Sequence, residues 1–128
     1  MSVIHRFTGS QSGGNYEWEG VSRIEINAQG VKGVLKHVLA GPEDGAPTFV
    51  MRYFQVPAGG KTFHHEHPHE HGMLILHGTA EIQINDAFFT LHPLDAVFVS
   101  GDDLHQVLNN GNKPLGFLCI IPKLETEV

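Results

Sequence analysis

Residues 59–78, GGKTFHHEHPHEHGMLILHG, decide how the rest of the chain is interpreted, since they hold six of its ten histidines. His65 and His67 are two positions apart, so on an extended strand both side chains point to the same face. Pro68 interrupts this strand, and His71 then begins a second, apolar strand. If the two strands pair as antiparallel neighbours, His71 faces back toward the first two histidines. Three converging imidazoles form a half-shell for a divalent transition metal.

A second chemical stretch is residues 94–109, LDAVFVSGDDLHQVLN. A strand over 97–99 and a tight turn over 100–103 are predicted, after which His105 begins the next strand. Antiparallel pairing across the sheet would bring His105 to the metal as a fourth ligand. Asn109 lies at the far end of that strand, where an asparagine more often caps a turn than binds a ligand.

Composition excludes several classes of protein. The chain has 128 residues, enough for one domain with a buried core, and its formal charge is −6. No basic run exists, which argues against nucleic-acid binding. The apolar runs are too short for a membrane span, and the N-terminus lacks a signal-type apolar segment. The single cysteine, Cys119, excludes an internal disulfide and fits a cytoplasmic location.

Short alternating apolar runs, separated by turn residues, recur along the chain, and no helical period of useful length appears. This spacing predicts an all-β barrel or sandwich. The predicted strands cover residues 30–39, 49–56, 63–67, 72–77, 79–84, 87–91, 96–99, 105–108 and 116–121, with weaker alternation at 16–18 and 21–26. Residues 1–30 are expected to pack across the outside of the barrel or onto a partner chain. Residues 31–122 form the barrel, and 123–128 an exposed tail.

These two histidine stretches resemble the two motifs of the cupin superfamily. The first motif, G-x5-H-x-H-x3,4-E-x6-G, is matched by Gly59, His65, His67 and Gly78, with His71 in the glutamate position. It is a highly specific pattern.

The second motif, G-x5-P-x-G-x2-H-x3-N, is matched outright only by His105 and Asn109. Leu94, Ser100 and Asp102 replace its turn-forming glycines and proline. The resemblance covers roughly residues 31–122.

Residues 65–71, HEHPHEH, more closely resemble a subgroup of small bacterial single-domain cupins whose metal site has four histidines. The resemblance implies a jelly-roll β-barrel, a homodimer, and the ligands His65, His67, His71 and His105. It implies one divalent ion per chain, most often manganese or iron, with zinc, nickel or copper as alternatives. The substrates of this subgroup are often unassigned.

A histidine in the glutamate position changes the chemistry. Four neutral imidazoles leave the +2 charge uncompensated, which favours the divalent state and stronger Lewis acidity. Two open positions on a six-coordinate ion would accept dioxygen or a bidentate substrate. The leading hypothesis is therefore an oxidoreductase of dioxygenase type that acts on a small organic molecule. The alternatives are a non-redox Lewis-acid enzyme, such as an isomerase or lyase, and a non-catalytic binding cupin.

Other residues carry weaker signals. Phe117 and Cys119 share one face of the last strand and are candidates for the cavity wall, although a lone cysteine is as often inert core. Arg52 is a candidate anchor for an anionic substrate, but more often such an arginine faces solvent or an interface. His69 would replace His71 as a ligand if His71 turned away. His64, His69 and His77 are expected at the surface or behind the ligands, and His5, His37 and His92 are given no role. The expected apolar wall is Phe63, Met73, Ile75, Val107, Phe117 and Ile121.

Overall fold

The computed structural model describes residues 1–124, and its regular secondary structure is almost entirely β-strand. Within that range the strands are β1 (Ile24–Ala28), β2 (Val31–Ala40), β3 (Phe49–Val56), β4 (His71–His77), β5 (Ala80–Ile84), β6 (Ala87–Leu91), β7 (Ala96–Val99), β8 (His105–Leu108) and β9 (Leu115–Pro122), with one short 3-10 turn at Pro42–Asp44. Most of the predicted strands are thus confirmed, and the all-β prediction with them.

The strands form two sheets that enclose one core. A six-stranded sheet has the order β1-β2-β3-β9-β4-β7, and a three-stranded sheet has the order β6-β5-β8. Side chains from both sheets meet between them, among them Val50, Ile75 and Phe117 from the larger sheet and Ile82 and Val107 from the smaller. This two-sheet arrangement is a jelly roll.

The N-terminal segment lies on the outer face of the larger sheet. Tyr16 stacks on Tyr53 with ring centroids 5.2 Å apart, and Trp18 packs edge-on against His37 at 5.5 Å. The Tyr53 hydroxyl, which points outward, donates a hydrogen bond to Nε2 of His77 (2.6 Å). Strand β1 pairs with β2, so the sheet begins before residue 31; the division of the chain at that residue stays a prediction.

The C-terminal tail was predicted to be exposed. Lys123 is exposed, whereas Leu124 packs partly against the core. Residues 125–128 lie outside the described part of the chain.

Two glycines of the first motif have backbone conformations that other residues avoid. Gly59 and Gly78 both have φ of +78°. A Cβ atom at Gly78 would also collide with the carbonyl oxygen of Pro114. These positions bound the histidine stretch with turns that glycine alone adopts without strain.

Leu94 and Asp102, which replace glycines of the second motif, keep the glycine conformation. Their φ angles are +76° and +69°. Leu94 follows Pro93 in a turn closed by the amide of Asp95, which donates to the carbonyl of His92 (2.9 Å). That is the pattern of a type II turn, whose third residue needs a positive φ. Short polar Asp102 tolerates this region, whereas Leu94 is strained.

Replacing Leu94 with glycine is therefore expected to raise the free energy of unfolding by about 1 kcal/mol, since the strain exceeds the entropy cost of glycine. The leucine side chain is 77% exposed, so little packing is lost. Urea unfolding measures the change. Leu94→Ala is the matched control, because alanine keeps the Cβ atom and gains nothing. A glycine variant no more stable than the alanine variant would contradict the interpretation that the backbone at Leu94 is strained.

Candidate metal centre

The segment that carries His65 and His67 runs beside β8. Its backbone pairs with β8 only at isolated bridges, Lys61 with Leu108 and His65 with His105. The continuous strand predicted at 63–67 is therefore wrong in part. The glycines before it and Pro68 after it leave too few residues for an uninterrupted ladder of hydrogen bonds.

The predicted pairing of this segment with β4 is also wrong. Strand β4, which begins at His71, pairs instead with β7 and β9 of the larger sheet. His65 and His105 belong to the opposite side of the barrel, where they exchange backbone hydrogen bonds of 3.0 and 2.8 Å. The histidines thus converge across the interior, between two sheets, rather than along one sheet.

The four imidazoles predicted as ligands lie close together. Nε2 of His71 is 2.9 Å from Nε2 of His67. The ring of His105 is 4.7 Å from that of His71 and 4.9 Å from that of His67, centroid to centroid. His65 lies at the edge of the group, 5.8 Å from His67 and 6.4 Å from His105. His105, distant in sequence, is therefore a direct neighbour of the histidine stretch.

His69 also lies in this group. Ring nitrogens of His67, His69 and His71 lie within 4.8 Å of one another, and this cluster, in a fold of this kind, indicates a divalent metal site. The rings of His67 and His69 are stacked face to face, with an interplanar angle of 5° and a centroid distance of 3.7 Å.

An imidazole binds a metal in the plane of its ring, and two parallel stacked planes do not intersect at one ion. The rings of His67 and His105 are inclined by 75°, and those of His71 and His105 by 62°. These planes do intersect. In this conformation the stacking disfavours His67 and His69 as ligands of one ion, and the inclined planes favour His67 with His71 and His105. The cluster of ring nitrogens within 4.8 Å of one another nevertheless consists of His67, His69 and His71 among the described residues, and His65 and His105 are not in it.

Hydrogen bonds orient three of the rings so that Nε2 faces inward. Nδ1 of His67 donates to the carbonyl of His69, and Nδ1 of His105 donates to the carbonyl of Asp103, both at 3.0 Å. Nδ1 of His71 is 2.9 Å from Sγ of Cys119. Metal-binding histidines are held by such a bond on the opposite nitrogen. The residues present therefore fit an ion, and the 2.9 Å between two Nε2 atoms suits adjacent ligands of one ion at ~2.1 Å each.

Burial favours the neutral form of three imidazoles at this site, those of His65, His71 and His105. Burial lowers the pKa of His71 to about 2, and the charge of Arg52, or of His105 when it is protonated, acts in the same direction. Burial also lowers the pKa of His65 and of His105. A neutral imidazole is the form that binds metal, so these three rings are in the form that binds an ion at neutral pH.

A cavity of about 490 Å³ opens beside the histidines. Four residues of the expected wall line it: Phe63, Met73, Val107 and Phe117. Ile75 and Ile121 instead belong to the buried core behind it. His65, His71 and His105 face the cavity as well, so a molecule inside it would meet the candidate metal centre.

Arg52 and Cys119 both line this cavity. Arg52 is only 7% exposed, so the favoured expectation that it faces solvent is wrong. Its Nη2 donates to Sγ of Cys119 (3.1 Å) from the directly opposite position on the neighbouring strand. Burial raises the pKa of the Cys119 thiol, although the Arg52 charge opposes this.

One side of the cavity was not predicted from the sequence. Residues of the first two strands and their turn contribute to it: Ile24, Ile26, Ala28, Gln29 and Lys36. The alternation of Ile24 and Ile26 was a signal of a strand, but nothing in it indicates which sheet face that strand joins.

The remaining histidines lie away from the candidate metal centre. His64 is exposed, and His77 bonds Tyr53 on the outer face. His5 contacts Asp44, and His92 lies near Asp95 at the surface. His37 is buried beneath the N-terminal segment.

Within residues 1–124, no helix is long and apolar enough to cross a membrane.

A jelly roll with a histidine cluster inside the barrel is the combination that the sequence motifs predicted, and comparison with known proteins supports it. Residues 52–121, more than half of the chain, match the cupin domain family. The chain therefore belongs to the cupin family.

Individual relatives agree with this assignment. Over 121 residues the chain is 31% identical to the 1-methylthio-D-xylulose 5-phosphate methylsulfurylase of Rhodospirillum rubrum, covering 88% of this chain and 76% of that protein. A cupin 2 domain-containing protein from Halorhodospira halophila is 34% identical, with a TM-score of 0.68 over 98% of this chain and 80% of the other. A cupin 2 conserved barrel domain protein from Rhodopseudomonas palustris has a TM-score of 0.82 at 23% identity, over 98% and 83%.

Proposed function

We propose that this cupin is a metal-dependent enzyme that acts on a small organic molecule, with His65, His67, His71 and His105 as the metal ligands. The observation that carries the proposal is the convergence of these imidazoles, from both sides of the barrel, beside a cavity of about 490 Å³. His69 is the alternative ligand, disfavoured by its parallel stacking on His67.

When bound, a divalent ion at four neutral imidazoles supplies Lewis acidity and open positions for a substrate. Manganese or iron is the proposed metal, with zinc, nickel or copper as alternatives. The chain contributes the rest. Phe63, Met73 and Phe117 exclude water from the cavity, and the hydrogen bonds on Nδ1 hold each ligand in one orientation.

Two classes of reaction are proposed at this centre. A dioxygenase-type oxidation is supported by the largely apolar wall, which shields reactive species from water. The second is non-redox chemistry at the same ion, on a phosphorylated sugar or a similar molecule. It is favoured by the relative that is named a methylsulfurylase of 1-methylthio-D-xylulose 5-phosphate, since that name does not describe an oxygenase. A binding cupin without turnover is the remaining alternative.

One experiment separates the classes. Metal-loaded protein is incubated with small organic acids and with 1-methylthio-D-xylulose 5-phosphate. An oxygen electrode follows dioxygen, and mass spectrometry follows the products. Oxygen uptake matched to product supports the dioxygenase, and product without oxygen uptake supports the second class. Chelator-treated protein and His67→Ala are expected to be inactive; equal activity in either would make the proposed function wrong.

Three further predictions made from the sequence remain predictions. They are a homodimer, a cytoplasmic location and no nucleic-acid partner. The mass of the purified protein by light scattering tests the first.

A further inference from the structure

Among the described residues, Arg52 is a buried cation without a negative partner. Its side chain points into the barrel from β3 and is 7% exposed. Within residues 1–124 it forms no ion pair with a carboxylate, and its Nε–H has no hydrogen-bond partner. A buried charge in this state is costly, so a compensating group is expected.

Neighbours within the barrel satisfy Arg52 only in part. Nη2 donates to Sγ of Cys119 at 3.1 Å, and the guanidinium lies over the ring of Phe54, 4.9 Å from its centroid. A guanidinium has five N–H donors, arranged as a fork that matches the oxygens of a carboxylate or phosphate. The contact with Cys119 fixes the position of the guanidinium and uses only Nη2, so that Nε–H remains unpaired.

The cavity beside Arg52 has the charge pattern of an anion site. Among the described residues that line it, Arg52 carries positive charge, and none is an aspartate or glutamate.

Arg52 is also close to the candidate metal centre. Sγ of Cys119 lies within hydrogen-bond distance of both Nη2 of Arg52 and Nδ1 of His71. A small molecule held by the guanidinium therefore has its other end next to the metal ligands.

We propose that Arg52 binds the anionic group of the substrate, so that the cavity selects small organic anions, carboxylates or phosphate monoesters, over neutral molecules. This inference deepens the proposed function, on which it rests. Arg52 is thus the specificity-determining residue of the cavity, and Cys119 holds it in position.

The test compares four forms of the metal-loaded protein: wild type, Arg52→Gln, Arg52→Lys and Arg6→Gln. Inorganic phosphate and acetate are titrated into each by calorimetry. Binding of either anion to the metal itself is common to all four forms, so differences report on the arginine. Arg6 is exposed and serves as the matched control.

Arg52→Gln is expected to weaken anion binding at least tenfold, which corresponds to about 1.4 kcal/mol. Arg52→Lys is expected to weaken it severalfold, because lysine keeps the charge but loses the fork. Arg6→Gln should match wild type. The anion that binds more tightly to wild type identifies the substrate group as carboxylate or phosphate.

Equal affinities in wild type and in both Arg52 variants would overturn the inference, as would the absence of binding of both anions to wild type. Should Arg52→Gln fail to fold by circular dichroism, Arg52→Lys decides alone. Metal content is measured on the same samples. If the protein retains its metal and the Arg52 variants bind anions as wild type does, only this inference is contradicted. If anion binding depends on Arg52 but the protein takes up no metal, only the proposed metal centre is contradicted.

Discussion

Replacing His105 with alanine is expected to weaken Mn²⁺ binding by at least ~100-fold, since loss of even an outer contact to a ligand typically costs 10–100-fold. His105 comes from the smaller sheet, and its ring plane intersects those of His67 and His71. His71→Ala should have an effect of similar size. Calorimetric titration of Mn²⁺ into chelator-treated protein, together with elemental analysis, measures both.

Two further variants are the controls for this prediction. His64→Ala changes an exposed histidine of the same stretch and should leave binding unchanged. His69→Ala should weaken it little, because a ring stacked parallel to that of His67 is poorly oriented to bind the same ion. If His69→Ala abolished binding while His105→Ala retained it, the ligands would be His67, His69 and His71, and the four-histidine assignment would be wrong.

Acidification is expected to destabilise the protein through His37, which is far from the candidate metal centre. His37 is 1% exposed, and neither ring nitrogen has a hydrogen-bond partner. Burial lowers its pKa; the Arg23 charge adds to this, and Glu17 opposes it. The rings of Trp18 and Tyr53 complete its surroundings.

The direction in which pH changes the free energy of unfolding follows from proton binding. Below pH ~6.5 the unfolded chain protonates this histidine and the folded protein does not, so the free energy of unfolding falls as the pH falls toward the folded pKa. One such group changes stability by at most about 1.4 kcal/mol per pH unit. The buried histidines of the candidate metal centre shift in the same direction, so a variant is needed to isolate His37.

His37→Phe is expected to lose less stability than wild type between pH 7.5 and 5.5, by up to about 1.4 kcal/mol. Urea unfolding at the two pH values measures the difference. His92→Gln, at an exposed histidine, is the control and should follow wild type. Identical pH dependence in wild type and His37→Phe would show that His37 is protonated to the same extent in both states.

The histidine spacing predicted much of the candidate site because it encodes local geometry. Two histidines separated by one residue, and a third after a proline, keep three imidazoles close in the sequence, but their convergence also depends on the pairing of β4 with β7 and β9 and of His65 with His105. The glycine positions of the two motifs likewise encode backbone angles, and Leu94 and Asp102 keep those angles despite their different side chains.

Long-range pairing was not encoded in that way. The segment with His65 has an alternation that suits a strand beside β4, yet it bonds to β8 across the barrel. The inward direction of Arg52 depends on the register of β3 with β9, where its partner is Cys119. Both outcomes are decided by contacts between residues more than 35 positions apart, which a local pattern does not contain.

The position of β9 has a consequence for how the chain is made. It is the last strand of the described residues, yet it lies between β3 and β4 in the larger sheet. During synthesis on the ribosome, β3 and β4 each keep one unpaired edge until β9, which carries Cys119, has emerged. The barrel interior is therefore completed only after β9 has been synthesised, and until then the edges of β3 and β4 that face it are unpaired and prone to aggregation.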